Sequence, residues 1–471
     1  MTRRRFWHGA RLGLLLTGIA ACSAEKLVIP NYNSPTTEGV SKDPKGVQLL
    51  ASGLLDGTRD AMAGMNRDFG VFGREAYNYF PTDGRFISNY LNGIPGPQRV
   101  DPAGFAVGNW TGRYQNQRNA VQLAELAAAT ALTTEQKAAV TGFAKTFRAL
   151  ELMYVILGRD TLGAPVDIPT DPNSPAPFVS RDSVYKFISA TLDDGAADLA
   201  AGGTAFPFAL HTGFAGFDTP ASFLQFNRAI AARALAYRGS LGCGAACYTQ
   251  ALTALAGSFV SPLGGATSLD DLNRGAYNFY STSAGETANA NSFAQDNYIF
   301  AHASIETDAQ SGPSGIDARY TRKVVPLASP VTPPQNLNIP ATHRFTIYPT
   351  NTTPAPIIRN EELMLIRAEA NIFTGNFANA MLDINNIRSV SGGLSPVAFA
   401  TAPAGLTALL YERRYSLLLE GQRWIDHRRF GLLNLLPIDQ PNQTPLAQFV
   451  AKVMPIPQAE CDARVEKPNG C

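Results

Sequence analysis

Residues 405–431 read GLTALLYERRYSLLLEGQRWIDHRRFG, and this stretch carries the strongest signal for the fold. Its leucines recur at helical spacing and predict a broad apolar stripe on a helix. The charged residues threaded through the same stripe include Glu412, Arg413, Glu420, Arg423, Asp426 and Arg428. A buried ionised group is costly unless opposite charges and hydrogen bonds satisfy it. We prefer a buried network in which guanidinium groups hold carboxylates; the alternative is a solvated amphipathic helix.

The same stretch resembles the C-terminal signature of the RagB/SusD family, whose members are nutrient-binding outer-membrane lipoproteins. The matching residues are Glu412-Arg413-Arg414, Glu420-Gly421, Arg423, Asp426, Arg428-Arg429 and Gly431. Ser416 departs from the pattern, because the family usually has a second acid there. Two other segments resemble the family: residues 143–169, which end a long helix with a proline-containing segment, and residues 453–460, which read VMPIPQAE.

The resemblance implies a scaffold of tetratricopeptide-like helical repeats. Apolar periodicity agrees with it and predicts helical hairpins at 110–158 and 359–390, whereas 66–108 is expected to be an irregular, aromatic-rich loop. We therefore predict a mostly α fold: an irregular tetratricopeptide-like helical-repeat scaffold with a loop-rich lobe carrying short β-strands. The predicted regions are a lipoprotein signal peptide at 1–21, a lipid anchor and tether at 22–44, and an N-terminal helical region at 45–257. A loop-rich ligand-facing insertion at 258–357 and a C-terminal helical region at 358–471 follow.

The first 21 residues predict export. Four arginines, an apolar centre and no acidic residue are typical of a signal peptide. Cys22 follows Ile19-Ala20-Ala21 and resembles the lipidated cysteine of a bacterial lipobox; the alternative is an ordinary signal peptide cut nearby. No later run approaches the ~20 apolar residues that a membrane-spanning helix needs. The pattern predicts a lipid-anchored protein, and the family resemblance implies that it is anchored in the outer membrane at the cell surface.

Charge argues against nucleic acid as a partner. The formal net charge is +1, and without the four arginines of the signal peptide 35 basic residues stand against 38 acidic ones. A domain that binds nucleic acid normally carries a clear excess of basic residues.

The cysteines predict disulfides rather than a metal site. Four remain after Cys22: Cys243, Cys247, Cys461 and Cys471. An even number in an exported protein favours disulfides, and of the three possible connectivities we prefer the two that pair neighbours in sequence. The five histidines are His8, His211, His302, His343 and His427. Because they are scattered, we expect no metal site, and no cofactor is expected.

The sequence offers no set of catalytic residues. It contains no G-x-S-x-G or H-E-x-x-H motif, phosphate loop or dinucleotide fingerprint. Glu420 and Asp426 have arginines nearby, which would keep the carboxylates ionised and disfavour a proton-donating acid. We expect that the protein is not an enzyme. The alternatives are a secreted α-helical glycoside hydrolase, with two opposed carboxylates in a groove, and a helical-repeat scaffold that binds only protein.

Aromatic loops form the predicted binding site. Flat rings with polar tips stack on sugar or peptide faces, and nearby Asn, Asp and Arg groups add directional hydrogen bonds. The predicted ligand contacts are Tyr77, Tyr79, Phe80, Arg85, Tyr90, Tyr277, Phe279 and Tyr280. Each aromatic ring has a core position as its alternative, and we assign Trp110 and Trp424 to the core.

The resemblance also implies a partner. Members of the family sit as a lid over a SusC-like TonB-dependent outer-membrane transporter. They capture oligosaccharide or peptide nutrients and deliver them to it. The same ligand and the same partner are expected for this chain.

Overall fold

The computed structural model describes residues 45–96, 99–104, 109–169, 171, 174–292, 298–334, 339–442, 444 and 446–471. The predicted signal peptide, Cys22 and the tether lie outside the described residues. Within them, Val47–Cys471 form one unit, in which the three predicted regions contact one another. Arg233 of the first region binds Glu362 of the third, with 2.6 Å between Nη2 and Oε2. Lys323 of the insertion donates to the carbonyl of Tyr415 at 2.8 Å.

The described chain is mainly helical. Its α-helices are α1 (Gly46–Phe72), α2 (Arg85–Ile87), α3 (Thr111–Ala129), α4 (Thr134–Arg159), α5 (Arg181–Ala200), α6 (Pro220–Arg238), α7 (Ala245–Ala256), α8 (Leu269–Asn273), α9 (Ser304–Thr307), α10 (Ala318–Lys323), α11 (Asn360–Phe373), α12 (Phe377–Ile387), α13 (Ala402–Ser416), α14 (Gln422–Arg429) and α15 (Gln458–Asp462). Turns of 3₁₀ helix cover Asp160–Leu162, Thr212–Phe214 and Leu433–Leu435, and π-helical turns cover Ser88–Asn92, Gly239–Cys243 and Arg388–Gly392.

Short strands make up small antiparallel sheets. They are β1 (Ala76–Asn78), β2 (Ala164–Pro165), β3 (Phe178–Val179), β4 (Gly275–Asn278), β5 (Ile299–Ala301), β6 (Ser311–Gly312), β7 (Gly315–Ile316), β8 (Val324–Val331), β9 (Ala341–Phe345) and β10 (Ala355–Arg359). One sheet has the strand order β1-β5-β9-β8, and the other strands pair as β4–β10, β2–β3 and β6–β7. In the larger sheet Tyr77 lies opposite Phe300, and Phe300 lies opposite Arg344.

Successive helices pack against one another and form the scaffold. The contacts run from α3 to α4, α5, α6 and α7 in turn, then from α7 to α11, and from α11 to α12 and α13. Gly142 of α4 faces the backbone carbonyl of Gly195 on α5, so these two helices approach closely. A cluster of rings fills the space beside α4 and α6: Phe143, Phe147, Phe206, Phe208, Phe214, Phe223 and Phe226. The predicted tetratricopeptide-like helical scaffold with short strands is confirmed.

The stretch 405–431 contains two helices, not one. α13 ends at Ser416 and α14 begins at Gln422. Leu419 has φ +60° and Gly421 has φ +73°, a left-handed conformation that a continuous right-handed helix cannot include. The break lets consecutive leucines in the turn between the helices point into the core, although no helical stripe could bury them all.

α1 extends further than the sequence pattern predicts. Residues 66–72 are helical, although they were expected to begin an irregular loop. Phe69 and Phe72 therefore project from a helix and pack on Trp424, with ring centroids 5.0 and 5.1 Å apart from it. Their place in the core explains why an aromatic-rich sequence here is not a loop.

Glu412 lies at the centre of one buried charge cluster. Its two carboxylate oxygens bind Arg319 and Arg388, each at 2.6 Å, and Glu412 and Arg319 have no exposed side-chain surface. Ser416, the departure from the family pattern, accepts a hydrogen bond from Arg319 and donates one to Glu361 at 2.6 Å. Burial opposes ionisation of Glu361, but Arg359 and Lys323 lower its pKa to about 2. The Ser416 hydroxyl thus connects Arg319 to Glu361.

A second cluster ties α13 and α14 to the scaffold. Arg413 Nε lies 2.7 Å from Asp426 Oδ2, and Arg429 connects Asp426 to Glu369 of α11. Burial opposes ionisation of Asp426, but Arg413 and Arg429 hold the pKa of this carboxyl below its usual range. The cluster joins three helices through ionised groups.

The other predicted network residues differ from one another. Glu420 accepts from Arg359 Nη2 at 2.8 Å, whereas Arg428 lies over the Trp424 ring at 4.5 Å from its centroid. Arg423 is buried, but its Nε and Nη1 have no hydrogen-bond partner among the described residues. Arg423 therefore makes no carboxylate hydrogen bond through these two nitrogens, but its charge lowers the pKa of the buried Glu75 carboxyl, which burial raises.

Both disulfides in the described chain are local. Cys243 bonds to Cys247 and Cys461 bonds to Cys471, with Cα–Cα distances of 5.7 and 5.6 Å. The first closes the turn between α6 and α7, and the second ties the end of the chain to α15.

Candidate functional site

Three of the predicted ligand contacts lie in the core. Tyr77, Tyr79 and Tyr90 are only 4%, 3% and 1% exposed. The Tyr77 hydroxyl donates to Asp439 at 2.5 Å, the Tyr79 hydroxyl donates to the Ile339 carbonyl, and the Tyr90 hydroxyl donates to Asp68 at 3.2 Å. β1 is covered on both sides, so these rings support the sheet and α1 and do not face a ligand.

Two other predicted contacts remain accessible nearby. Phe80 is half-buried and meets Phe86 and Tyr298 edge-on, at centroid distances of 5.9 and 5.5 Å. Arg85 is exposed and pairs with Asp83 at 2.6 Å. These residues form a small aromatic and charged patch beside α2.

The residues around β4 divide between core and surface. Tyr280 is 1% exposed and belongs to the core. Tyr277 is half-buried, and its hydroxyl donates to the Asn273 carbonyl. Phe279 is half-buried and lines a cleft. The structure therefore does not bring the eight predicted contacts into one site; it leaves Phe80 and Arg85 on one patch and Phe279 on another.

The cleft beside Phe279, here named the α1 cleft, has a volume of about 330 Å³. This size falls within the roughly 300–1,000 Å³ typical of small-molecule sites. The residues that line it include Asp56, Arg59, Ala209, His211, Phe279 and Glu286. They come from α1, from the segment before the 212–214 turn and from the loop after β4.

Arg59 organises the charges of the α1 cleft. Its Nη1 donates to Glu286 Oε2 at 2.7 Å and to the Phe279 carbonyl at 3.0 Å, and its Nη2 pairs with Asp56. The guanidinium is buried, whereas both carboxylates remain partly exposed. Acidic oxygens fixed in this way can accept hydrogen bonds from ligand hydroxyl groups.

His211 adds a donor beside the Phe279 ring. The two ring centroids are 5.9 Å apart, and His211 Nδ1 accepts from the Gly213 amide at 3.1 Å. Burial and then the nearby charge of Arg59 lower the pKa of His211 to about 4. The ring is therefore neutral at pH 7, with its proton on Nε2, where it can donate to a ligand oxygen.

Sequence reasoning missed Asp56, Arg59, His211 and Glu286. Asp56 and Arg59 have the spacing of an i, i+3 ion pair on one helix, which is a signal in the sequence. Nothing in the sequence indicates that His211 and Glu286 approach the same part of α1, because these segments are far apart in the chain.

Other polar contacts do not form a metal centre. His302 Nε2 lies 3.2 Å from Asp439, and His343 Nε2 lies 2.8 Å from Glu306. Among the described residues, no group of three or more His, Cys, Asp or Glu side chains could hold a metal ion. Within the same part of the chain, no helix combines the length and the apolar character needed to cross a membrane.

Comparison with known proteins identifies the fold. Residues 336–467 match the model of the SusD family, and no curated protein matches the chain. A SusD superfamily protein from Bacteroides vulgatus has a TM-score of 0.67 at 15% identity, with 92% of this chain and 100% of that chain covered. A SusD-like carbohydrate binding protein from Bacteroides fragilis has a TM-score of 0.66 at 15% identity, with 90% and 99% covered.

A third solved structure agrees with these two. Surface glycan-binding protein A from Bacteroides uniformis has a TM-score of 0.65 at 16% identity, with 90% of this chain and 99% of that chain covered. At such identities the likeness concerns the fold, and the sequence match lies in the C-terminal region. Residues 336–467 are thus similar in sequence to the SusD family, and the described chain shares the helical fold of the solved SusD-like structures.

Proposed function

We propose that this protein is a lipid-anchored outer-membrane lipoprotein that binds oligosaccharide in the α1 cleft and delivers it to a SusC-like TonB-dependent transporter. One observation carries the ligand site: a half-buried phenylalanine ring lies beside fixed acidic oxygens and a neutral histidine donor. The names of two structural neighbours, a carbohydrate binding protein and a surface glycan-binding protein, support a saccharide ligand. Both are binding proteins, in agreement with a chain that is not an enzyme.

The chemistry of the α1 cleft favours a saccharide over a peptide. A sugar ring has one apolar face that packs on an aromatic ring and a rim of hydroxyl groups that both donate and accept. Phe279 supplies the ring, Asp56 and Glu286 supply acceptors, and His211 supplies a donor. Asp56 and Glu286 pair with the same guanidinium, an arrangement that suits binding better than the separate acid and nucleophile of a glycoside hydrolase.

Ligand binding tests the site. The full chain is screened against an array of neutral and acidic oligosaccharides and short peptides, and Phe279→Ala is compared with the native chain. We expect selective saccharide binding that weakens about fivefold in Phe279→Ala, since an aromatic contact contributes about 1 kcal/mol. Phe377→Ala removes a half-buried ring of α12 and serves as the matched control. Selective peptide binding, or the same saccharide affinity in Phe279→Ala and Phe377→Ala, would contradict the proposal.

Localisation and partner need a separate experiment. Membranes of expressing cells are extracted with mild detergent, and proteins that co-purify with the chain are identified. We expect a large TonB-dependent β-barrel partner, and we expect Cys22→Ser, but not Ser23→Ala, to move the chain from the membrane to the soluble fraction. Recovery of both variants in the membrane, or a partner-free chain that hydrolyses oligosaccharides, would overturn this part of the proposal.

A further inference from the structure

The C-terminal segment forms one wall of a second cleft, which we name the tail cleft. It lies between the start of α3, the chain after β2 and the residues of α15, and its volume is about 360 Å³. The residues that matter here are Trp110, Tyr114, Gln115, Arg118, Asp167 and Arg464. None of them lines the α1 cleft, so the two clefts are built from different segments.

Aromatic contacts and hydrogen bonds hold the C-terminal segment in place as a wall of the tail cleft. Arg464 donates twice to Glu460, at 2.9 and 2.6 Å, and once to the Ala176 carbonyl at 2.8 Å. Its guanidinium also lies over the Phe178 ring at 4.8 Å, and that ring stacks on Trp110 at 5.7 Å and 13°. The disulfide between Cys461 and Cys471 closes the segment that contains Arg464. The wall is therefore prearranged before any ligand arrives.

The lining of the tail cleft combines an apolar wall with a polar rim. Pro165, Ile168 and Pro169 are part of the lining and present apolar surface, to which Trp110 and Tyr114 add ring edges. The exposed residues at the rim include Gln115 and Asp167.

Charge within the tail cleft is balanced. Arg118 and Arg464 face Asp167 and Glu460 in the lining, so the cleft has two cationic and two acidic side chains. Arg464 is already paired with Glu460, and Arg118 donates to the Pro169 carbonyl. A strongly anionic ligand would gain little here, because the cations are compensated. An uncharged ligand with one apolar face and several hydroxyl groups fits better.

We infer that the tail cleft is a second binding site for a neutral saccharide unit, in addition to the α1 cleft. The inference takes its ligand class from the proposed function, but it depends on different residues. The amide of Gln115 and the carboxylate of Asp167 supply a donor and acceptors at the rim, and the apolar wall receives the face of the sugar ring.

Tryptophan fluorescence reports on this cleft separately. Trp110 lines it, whereas Trp424 is fully buried. The full chain is titrated with maltohexaose, xylohexaose and mannohexaose, and Trp110→Phe identifies the part of the emission that belongs to Trp110. We expect a saturable emission change with at least one probe that persists in Phe279→Ala. We expect the saccharide affinity measured by this emission change to fall at least tenfold when Gln115→Ala and Asp167→Ala are combined. Gln250→Ala, which removes an exposed amide on α7, is the matched control.

The outcomes separate the two proposals. If binding depends on Phe279 but no probe changes the Trp110 emission, the tail-cleft inference fails and the proposed function stands. If the Trp110 emission changes but Phe279→Ala has no effect on any binding, the placement in the α1 cleft fails and the second site stands. A response to a proline-rich peptide without a response to any of the three saccharides would overturn the ligand class assigned to the tail cleft.

Discussion

At the scale of single residues, the buried charges depend on partners that lie far away in sequence. Glu412 is shared by Arg319 and Arg388, and Asp426 is shared by Arg413 and Arg429. The alternation of acids and arginines indicates that charges are buried and paired, but not with which partners. Arg319 and Arg388 could not be chosen from the sequence, because their approach depends on the tertiary fold.

Replacing Glu412 by glutamine should destabilise the protein strongly. Glu412→Gln removes the buried carboxylate that Arg319 and Arg388 share, while Arg319 keeps Asp317 as a partner at 2.7 Å. We expect the free energy of unfolding to fall by about 3–5 kcal/mol. Chemical denaturation measures the change. Lys186→Ala disrupts an exposed pair with Asp182 and should cost less than about 1 kcal/mol. Equal effects of the two substitutions would show that the Glu412 cluster contributes no more than a surface pair.

Arg423→Met provides a second comparison. No carboxylate of the described chain accepts a hydrogen bond from Arg423 Nε or Nη1, so this change removes the charge that acts on the buried Glu75 carboxyl without breaking a hydrogen bond from either nitrogen. Methionine keeps much of the length of the side chain, so we expect a smaller loss of stability than in Glu412→Gln. A loss as large as that of Glu412→Gln, measured by the same denaturation experiment, would indicate that Arg423 stabilises a carboxylate at longer range.

His427 should make stability depend on pH. Burial and then Arg423 lower its pKa to about 4, whereas an unfolded histidine titrates near 6.5. Between these values the unfolded chain binds more protons, so this contribution to stability is complete above pH 6.5 and is lost as the pH falls towards 4. We expect the difference in unfolding free energy between the native chain and His427→Gln to change by about 2 kcal/mol across this range.

The difference in unfolding free energy between the native chain and His427→Gln isolates the effect of His427, because the other titratable groups are present in both proteins. Glutamine can still donate to the Arg423 carbonyl that now accepts a hydrogen bond from His427 Nδ1 at 2.9 Å. Gln250→Ala should show the pH profile of the native chain. Parallel stability profiles for the native chain and His427→Gln would rule out the expected protonation effect.

At the scale of secondary-structure elements, periodicity locates most scaffold helices but does not locate their breaks. The helix starting at Thr134 and the pair at 359–390 lie where apolar spacing predicts them. The turn between α13 and α14 is missed because three leucines suit a helix, and only tertiary packing stabilises Leu419 at positive φ. Local propensity is overruled where the core can bury all three side chains.

Replacing glycine by alanine should have opposite effects on stability at Gly142 and Gly53, because their surroundings differ. A Cβ on Gly142 would lie 2.7 Å from the Gly195 carbonyl oxygen and 2.7 Å from Leu199 Cγ, whereas a Cβ on Gly53 meets nothing within 4 Å. Gly142→Ala should lower stability by about 1–3 kcal/mol through overpacking. Gly53→Ala should raise it by about 0.5–1 kcal/mol through reduced backbone entropy in the unfolded chain. Thermal unfolding tests the signs, and a stabilising Gly142→Ala would show that α4 and α5 separate readily.

At the scale of the whole molecule, the fold is more predictable than the binding surface. A repeat of amphipathic helices constrains the scaffold, because each helix must bury its apolar face on the next. The α1 cleft instead combines α1 with the segments around His211 and Glu286. Aromatic content alone cannot distinguish Phe279, which lines this cleft, from Tyr280, which is buried beside it. Ligand contacts depend on which side of a short strand reaches solvent.

The larger sheet has a consequence for the order of folding. Tyr77 on β1 pairs with Phe300 on β5, and β5 pairs with β9, which begins at Ala341. Closing loops of this length is slow, so the N-terminal strand must wait until most of the chain is available. During synthesis the first helices would emerge with an unpaired strand edge, a state prone to aggregation. Chaperone protection of the emerging chain would therefore be needed until residues beyond β9 have appeared.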